Sequence, residues 1–187
     1  MNGRSLLVTA ALVLSPASAS AEGWNVGSNF GFSLLKPKGG GDDLIVLGAP
    51  GSVGQFIPAF QPGLRIGVPV GAGENEIYFD TGLSVINTEG ETLTGYEVTV
   101  NFQHDFKAEG PASPYITVGG GIMGQHFAGE SNSNTLIGAG LGGLTRVRGG
   151  HGAVRFEVRY DHVSEDTQGF VGGNLIGLKF GFDLWLR

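Results

Sequence analysis

Residues 173–187, with the sequence GNLIGLKFGFDLWLR, contain the pattern that decides the fold. Apolar side chains occupy every second position: Ile176, Leu178, Phe180, Phe182, Leu184 and Leu186. The intervening positions are small or polar: Gly177, Lys179, Gly181, Asp183 and Arg187. A period of two places the apolar side chains on one face of a β-strand and the polar side chains on the other.

The same alternation recurs along the chain and predicts an all-β fold. Residues 153–163 alternate apolar side chains with charged ones, and residues 94–106 and 24–35 follow the same period. The sequence predicts eight strands, at about 24–35, 55–70, 76–87, 94–106, 115–128, 134–148, 153–163 and 173–187. Three prolines in the second run remove ladder donors, so this strand is expected to bend or to start late.

The connections between these runs alternate in predicted length. Those at about 71–75, 107–114 and 149–152 are short, whereas those at about 36–54, 88–93, 129–133 and 164–172 include the longest. Short turns on one side and longer loops on the other are typical of an up-and-down outer-membrane barrel. The apolar segment 44–47 (LIVL) falls in the first long loop, where it is expected to be locally buried. The alternative is that it packs over the barrel mouth or touches a partner.

The first 21 residues have the three regions of a secretory signal peptide. Arg4 supplies the positive charge, residues 6–14 are mostly apolar, and Ala19-Ser20-Ala21 has the small-x-small form of a cleavage site. The apolar run is shorter than the roughly 20 residues that span a bilayer as a helix. We expect cleavage after Ala21 and a single domain over residues 22–187.

Two kinds of barrel fit the alternation. A soluble lipocalin-type barrel turns its apolar face inward, whereas an outer-membrane barrel turns it toward lipid and fills its interior with polar side chains. The export signal, the strand lengths and the mixed charges on the polar face favour the membrane barrel. The predicted interior charges are Arg65, Asp80, Glu97, Asp105, Arg146, Arg155, Glu157, Arg159, Asp161, Lys179 and Asp183.

Composition excludes several other classes of protein. The net charge of −6 argues against a nucleic-acid partner, and the absence of cysteine excludes disulfides and thiolate metal sites. The histidines His104, His126, His151 and His162 lack the spacing of metal ligands. The glycine-rich segments 119–121 and 138–143 lie inside strands and precede no helix, which argues against phosphate loops. We therefore predict no cofactor and no metal.

Three segments resemble the eight-stranded outer-membrane β-barrel superfamily that includes OmpA-type and OmpX-type barrels. Residues 114–121 (PYITVGGG) are similar to its fifth strand, 155–160 (RFEVRY) to its seventh, and 177–182 (GLKFGF) to its closing strand. The resemblance covers residues 22–187 and implies a closed meander of eight transmembrane strands in the bacterial outer membrane. It implies outer-membrane lipid, lipopolysaccharide and the barrel-assembly machinery as partners, with the outer loops available for an extracellular ligand.

The end of the chain resembles the terminal signal that the assembly machinery recognises in this superfamily. Lys179 matches its polar position, Gly181 its glycine, and Leu184 and Leu186 its apolar pair. The superfamily usually ends on an aromatic residue, whereas this chain ends with Leu186 and Arg187.

One motif raises the possibility of an enzyme. Lipid A deacylases of the outer membrane are eight-stranded barrels with a His-x-Ser motif at the end of the seventh strand, and His162 and Ser164 match it. These enzymes continue Asn-Ala, where this chain has Glu165-Asp166, and a carboxylate there opposes an oxyanion. They also supply an acid from the last strand. The outward positions of that strand here hold Asn174, Ile176 and Leu178 and no acid.

We therefore predict a non-enzymatic barrel with a structural or surface-interaction role, with a deacylase-like hydrolase as the alternative. A pore is a third alternative, disfavoured because side chains fill the interior of an eight-stranded barrel.

Overall fold

A computed structural model describes residues 23–38, 44–48, 63–88, 91–107, 110–127, 129–148, 151–164 and 172–186. The predicted signal peptide, residues 1–21, lies outside these ranges. None of the described residues forms a helix long and apolar enough to span a membrane.

The described chain forms nine antiparallel strands. They are β1 (Trp24–Pro37), β2 (Leu44–Gly48), β3 (Gly63–Val70), β4 (Asn75–Thr88), β5 (Glu91–Asp105), β6 (Ala112–Phe127), β7 (Glu130–Arg146), β8 (Gly152–Val163) and β9 (Gly173–Leu186). Eight of them, all except β2, form a closed ring in chain order. The ring closes where β9 pairs with β1, from Trp24 opposite Leu186 to Pro37 opposite Gly173. The prediction of an eight-stranded antiparallel barrel is confirmed.

The period of two in the sequence becomes the inside and the outside of the barrel wall. Arg65, on the inward face of β3, is 0% exposed, whereas Val98 and Phe180 on outward faces are 41% and 39% exposed. In β8 and β9 buried and exposed side chains alternate almost without exception. The apolar face therefore points outward, which is the opposite of a soluble lipocalin-type barrel.

The barrel has two ends, defined by its connections. The termini end carries Trp24, Leu186 and the β3–β4, β5–β6 and β7–β8 connections. The hairpin end carries the β4–β5, β6–β7 and β8–β9 connections.

The prediction that the segment 44–47 lies in a loop is wrong. Residues 44–48 form β2, which pairs with residues 31–35 of β1. The other barrel neighbour of β1, β3, covers only residues 25–29. The run of β-favouring side chains 44–47 therefore extends along the part of the β1 edge that β3 leaves open.

Two predicted long loops are tight connections instead. Thr88 pairs with Glu91, and Phe127 pairs with Glu130, so residues 88–93 and 129–133 largely belong to paired strands. The polar residues in these segments had indicated loops, but the hairpins continue through them. Among the described residues β3 begins at Gly63. Pro58 and Pro62 lie outside the described ranges, so their predicted effect on this strand stays a prediction.

Candidate functional site

The interior of the barrel holds a network of charged side chains, organised around three arginines. Arg155 on β8 makes a two-pronged contact with Asp183 on β9, with Nη2 2.9 Å from Oδ1. The same nitrogen donates to Asn29 Oδ1 on β1 at 2.9 Å, across a sequence separation of 126 residues. This side chain therefore connects three consecutive strands across the closing seam.

Arg65 lies on the other side of the seam and contacts four groups. Its Nη2 is 2.6 Å from Glu76 Oε1 and 3.0 Å from Gln103 Oε1, and its Nε is 3.7 Å from Asp183 Oδ1. The guanidinium carbon lies 3.4 Å from the ring centroid of Tyr78, in cation–π geometry. Since Asp183 also binds Arg155, one carboxylate joins both arginines.

A third group of charges lies toward the hairpin end. Arg159 Nε is 2.7 Å from Asp161 Oδ1, and Arg159 Nη1 is 3.7 Å from Glu157 Oε1. Lys179 Nζ lies 3.5 Å from Asp80 Oδ2. Charges removed from water require such partners, because an isolated buried charge costs several kcal/mol.

The remaining predicted interior charges take different positions. Asp105 lies at the termini end, where its Oδ2 is 3.5 Å from Nη2 of the partly exposed Arg146. Glu97 is 5% exposed and makes no ion pair within the described part of the chain.

Sequence reasoning missed Glu76, Asn29 and Gln103 as members of the network. All three lie on inward positions of their strands. The available signal was alternation along the strand: Glu76 lies two residues before Tyr78 and four before Asp80, so all three share one face. The partner of Arg65 could not be chosen in advance, because parity selects a face and says nothing about which side chains reach across.

Buried apolar side chains lie among the charges of the interior. At the termini end Tyr115, Leu144 and Ala153 form a buried cluster against which Trp185 packs. Toward the hairpin end, neighbouring strands direct four buried apolar side chains inward: Met123, Leu136, Val163 and Leu175. Charged and apolar side chains share the interior at both ends, since Asp105 is the register partner of Tyr115 and Asp161 is the register partner of Leu175.

His162 and Ser164 lie on the outer face of the wall, and their contacts diverge. His162 Nδ1 is 2.9 Å from Asn174 Oδ1 on β9, which also accepts from the Tyr160 hydroxyl at 2.9 Å. Ser164 Oγ instead contacts Thr135 on β7, 3.0 Å from both its backbone nitrogen and its hydroxyl. These two described residues make no hydrogen bond with each other, so a Ser–His pair is not assembled.

The residues of the predicted assembly signal divide between the two faces of β9. Leu184 and Leu186 point outward and are each 54% exposed, whereas Lys179 and Gly181 face the interior. Gly181 is closely surrounded, because an added Cβ would lie 2.8 Å from Arg155 Nη2 and against Asn29 Oδ1. A side chain at this position would displace the contact between Arg155 and Asn29.

Comparison with solved structures identifies the same architecture. The chain is similar to the Neisserial surface protein A, NspA, with a TM-score of 0.64 and 12% sequence identity, over 90% of this chain and 100% of that one. The chain has the fold of the small outer-membrane β-barrels. Ail, the attachment invasion locus protein of Yersinia pestis, gives a TM-score of 0.48 and 16% identity, over 87% of this chain and 99% of that one. The sequence matches no protein-family model and no curated protein.

Proposed function

We propose that the chain is a bacterial outer-membrane barrel without enzymatic activity, with a structural role or a surface-interaction role through its outer loops. The observation that carries this proposal is the inverted distribution of side chains. Leu141, Ile137 and Phe182 are exposed on the wall at 68%, 65% and 52%, whereas charged side chains are buried inside. Water disfavours such an exterior, and the hydrocarbon of a bilayer accepts it.

The charge on the outer wall supports the same proposal. Among the strand residues whose side chains the structure describes, the acidic ones all face inward: Glu76, Asp80, Glu97, Asp105, Glu157, Asp161 and Asp183. Charged side chains facing lipid cost up to about 2–4 kcal/mol at the bilayer midplane. Soluble proteins, in contrast, rarely expose continuous apolar patches larger than a few hundred Å².

The orientation follows from the even number of strands in the ring. Both ends of the ring, Trp24 and Leu186, lie at the termini end. In outer-membrane barrels this end faces the periplasm. The hairpin end, with the connections around residues 89–90 and 165–171, then faces outward and supplies any surface that binds an extracellular ligand.

Localisation and topology are tested together in a Gram-negative host. An epitope inserted between residues 89 and 90 is expected to be reached by antibody on intact cells, whereas one inserted at Gly73, in the β3–β4 turn, is expected to require permeabilised cells. Mass spectrometry of the membrane fraction is expected to find Glu22 as the first residue. Recovery in the soluble fraction, or antibody access to Gly73 only, would contradict the proposal.

The hydrolase remains the second candidate, favoured by the contact of His162 with Asn174, since an amide can orient a histidine as a carboxylate does. The engagement of Ser164 by Thr135 opposes it. We expect purified barrel incubated with lipid A to release no fatty acid by mass spectrometry. Release that stops in Ser164→Ala but continues in Ser131→Ala, an outward serine on β7, would make the protein an enzyme.

A further inference from the structure

We propose that Glu97 is a proton-binding site inside the barrel, and that the folded protein takes up a proton there and gains stability from it as the pH falls. Glu97 lies on the inward face of β5 and is 5% exposed. Within the described part of the chain its carboxyl group has no ion pair and no hydrogen bond. A carboxyl group that is removed from water without a cation beside it takes up a proton rather than stay charged.

The other inward acids all have a basic partner, so Glu97 is the exception among the described residues. Seven acids face the interior: Glu76, Asp80, Glu97, Asp105, Glu157, Asp161 and Asp183. The inward bases contact six of them, in the pairs Arg65–Glu76, Arg65–Asp183, Arg146–Asp105, Arg155–Asp183, Arg159–Glu157, Arg159–Asp161 and Lys179–Asp80. Each of these bases therefore already contacts an acid, and none is left to neutralise Glu97.

The surroundings of Glu97 offer it no spare positive charge. Its register partners are Gly82 on β4 and Met123 on β6, and β6 contains no aspartate, glutamate, lysine or arginine. The charged groups that act on Glu97 from β4, β8 and β9 are Asp80, Asp161, Arg159 and Lys179. Lys179 Nζ lies 3.5 Å from Asp80 Oδ2, and Arg159 Nε lies 2.7 Å from Asp161 Oδ1. The charges of these four groups cancel, so a charged Glu97 would add an unbalanced negative charge to the interior.

Proton uptake at Glu97 makes the stability of the barrel depend on pH in a definite direction. In the unfolded chain the carboxyl group is in water and has the ordinary pKa of a glutamate, about 4.3. In the folded barrel it keeps its proton to higher pH, and in the range between the two the folded state binds one proton more than the unfolded state. Stability therefore falls as the pH rises through this range, and the equilibrium constant of unfolding increases by at most about tenfold per pH unit.

The test compares the wild-type protein with Glu97→Gln, which keeps the size of the side chain and cannot become charged. Urea unfolding of both proteins is measured in lipid vesicles between about pH 4 and pH 9. The ion pairs titrate in both proteins, so their contribution cancels in the ratio of the two unfolding constants. The ratio of wild type to variant is expected to be level near pH 4 and to rise by about tenfold or more toward pH 9. A ratio that is independent of pH, or that falls as the pH rises, would overturn the inference.

The matched control is Glu76→Gln, which removes another inward glutamate. Glu76 Oε1 lies 2.6 Å from Arg65 Nη2, so its charge is paired in the folded barrel. The ratio of wild type to this variant is expected not to rise with pH, because the variant loses an ion pair that is complete at high pH. An equal rise for both variants would contradict a proton site at Glu97, as would a ratio for Glu97→Gln that follows sodium chloride concentration and not pH.

Infrared spectroscopy detects the proton itself and does not require that a variant folds. At about pH 6, where exposed carboxyl groups are charged, the folded wild-type protein in vesicles is expected to show the carbonyl band of a neutral carboxylic acid. Carbon-13 labelling of glutamate is expected to shift this band, and Glu97→Gln is expected to abolish it. Absence of the band from the folded wild-type protein would overturn the inference.

Discussion

At the scale of single residues, Gly142 and Gly143 are neighbours in β7 but face opposite sides of the wall. A Cβ on Gly142 would overlap the ring of Tyr115 and approach the carbonyl oxygen of Phe156, whereas one on Gly143 would meet nothing closer than the carbonyl oxygen of Ser113 at 4.0 Å. The missing side chain at Gly142 therefore makes room for Tyr115 in the cluster at the termini end.

This difference predicts opposite outcomes for two adjacent substitutions. Gly142→Ala is expected to lower the free energy of unfolding by about 1–3 kcal/mol, the usual cost of overpacking. Gly143→Ala is expected to change it by less than about 0.5 kcal/mol, as at unconstrained surface positions. Urea unfolding in lipid vesicles measures both. Equal destabilisation by the two substitutions would show that the Tyr115 ring can shift to make room for a Cβ at Gly142.

The interior charges illustrate how far sequence reasoning extends at this scale. Alternation alone assigns Arg155 and Asp183 to the inward face, and the structure buries both at 4% and 5% exposure. Alternation does not identify Asn29 as a partner of Arg155, because the contact depends on which strands meet at the seam and on their register. The functional role of these residues stays a prediction.

At the scale of the strand, β9 contains the predicted assembly signal. Replacing Leu184 and Leu186 together by aspartate is expected to prevent accumulation in the outer membrane, because the change removes the terminal apolar pair and places charge on the lipid face. Each charge costs at most about 2–4 kcal/mol, and less near the interface. Immunoblots of membrane fractions measure the result.

The control for this experiment places equal charge on the wall outside the last strand. Ile66 and Leu184 both lie opposite Val26, so they occupy the same height, and Val154 lies on the neighbouring strand β8 opposite Phe182. Ile66→Asp with Val154→Asp is expected to reduce assembly less than the β9 pair. Equal loss of outer-membrane protein in both variants would show that charge on the wall explains the defect without a terminal signal.

The strand β2 gives β1 a partner on both edges at residues 31–35. Replacing Ile45 and Val46 by glycine is expected to speed amide hydrogen exchange within 31–35 and 44–48, since glycine lowers strand propensity. Exchange in residues 25–29, which pair with β3, serves as the internal control. Unchanged exchange at 31–35 would contradict a stable β1–β2 pairing.

Strand boundaries show why the sequence predicted the ring more accurately than its connections. The period of two persists wherever the outward face of a ring strand is apolar, so eight runs are visible. Near the hairpin end Asn87 pairs with Thr92 and Glu91 pairs with Thr88, although asparagine and glutamate are depleted from strands. The segment 44–47 fails for the opposite reason, because its continuous apolar run has no period and does not distinguish a strand from a buried loop.

At the scale of the whole molecule, the buried side chains and ion pairs of the interior predict a barrel that conducts no ions. Purified protein in planar bilayers is expected to produce no discrete conductance steps, because side chains fill the interior of an eight-stranded barrel. The matched sample is the unfolded protein in the same detergent. Stable openings that change in Arg155→Met or Asp183→Asn would contradict this expectation and favour a pore through the charged section.

The contact between Arg155 and Asn29 also has a kinetic consequence. Its two residues are 126 positions apart, and they meet only when β9 has reached β1. Contacts of such long sequence separation slow the folding of β-proteins, because the chain between them loses conformational entropy before the contacts that offset this loss can form. We therefore expect Arg155 and Asn29 to lose their water in the step that joins the seam. The rate of that step is where lipid, pH and salt are expected to control how quickly this barrel folds.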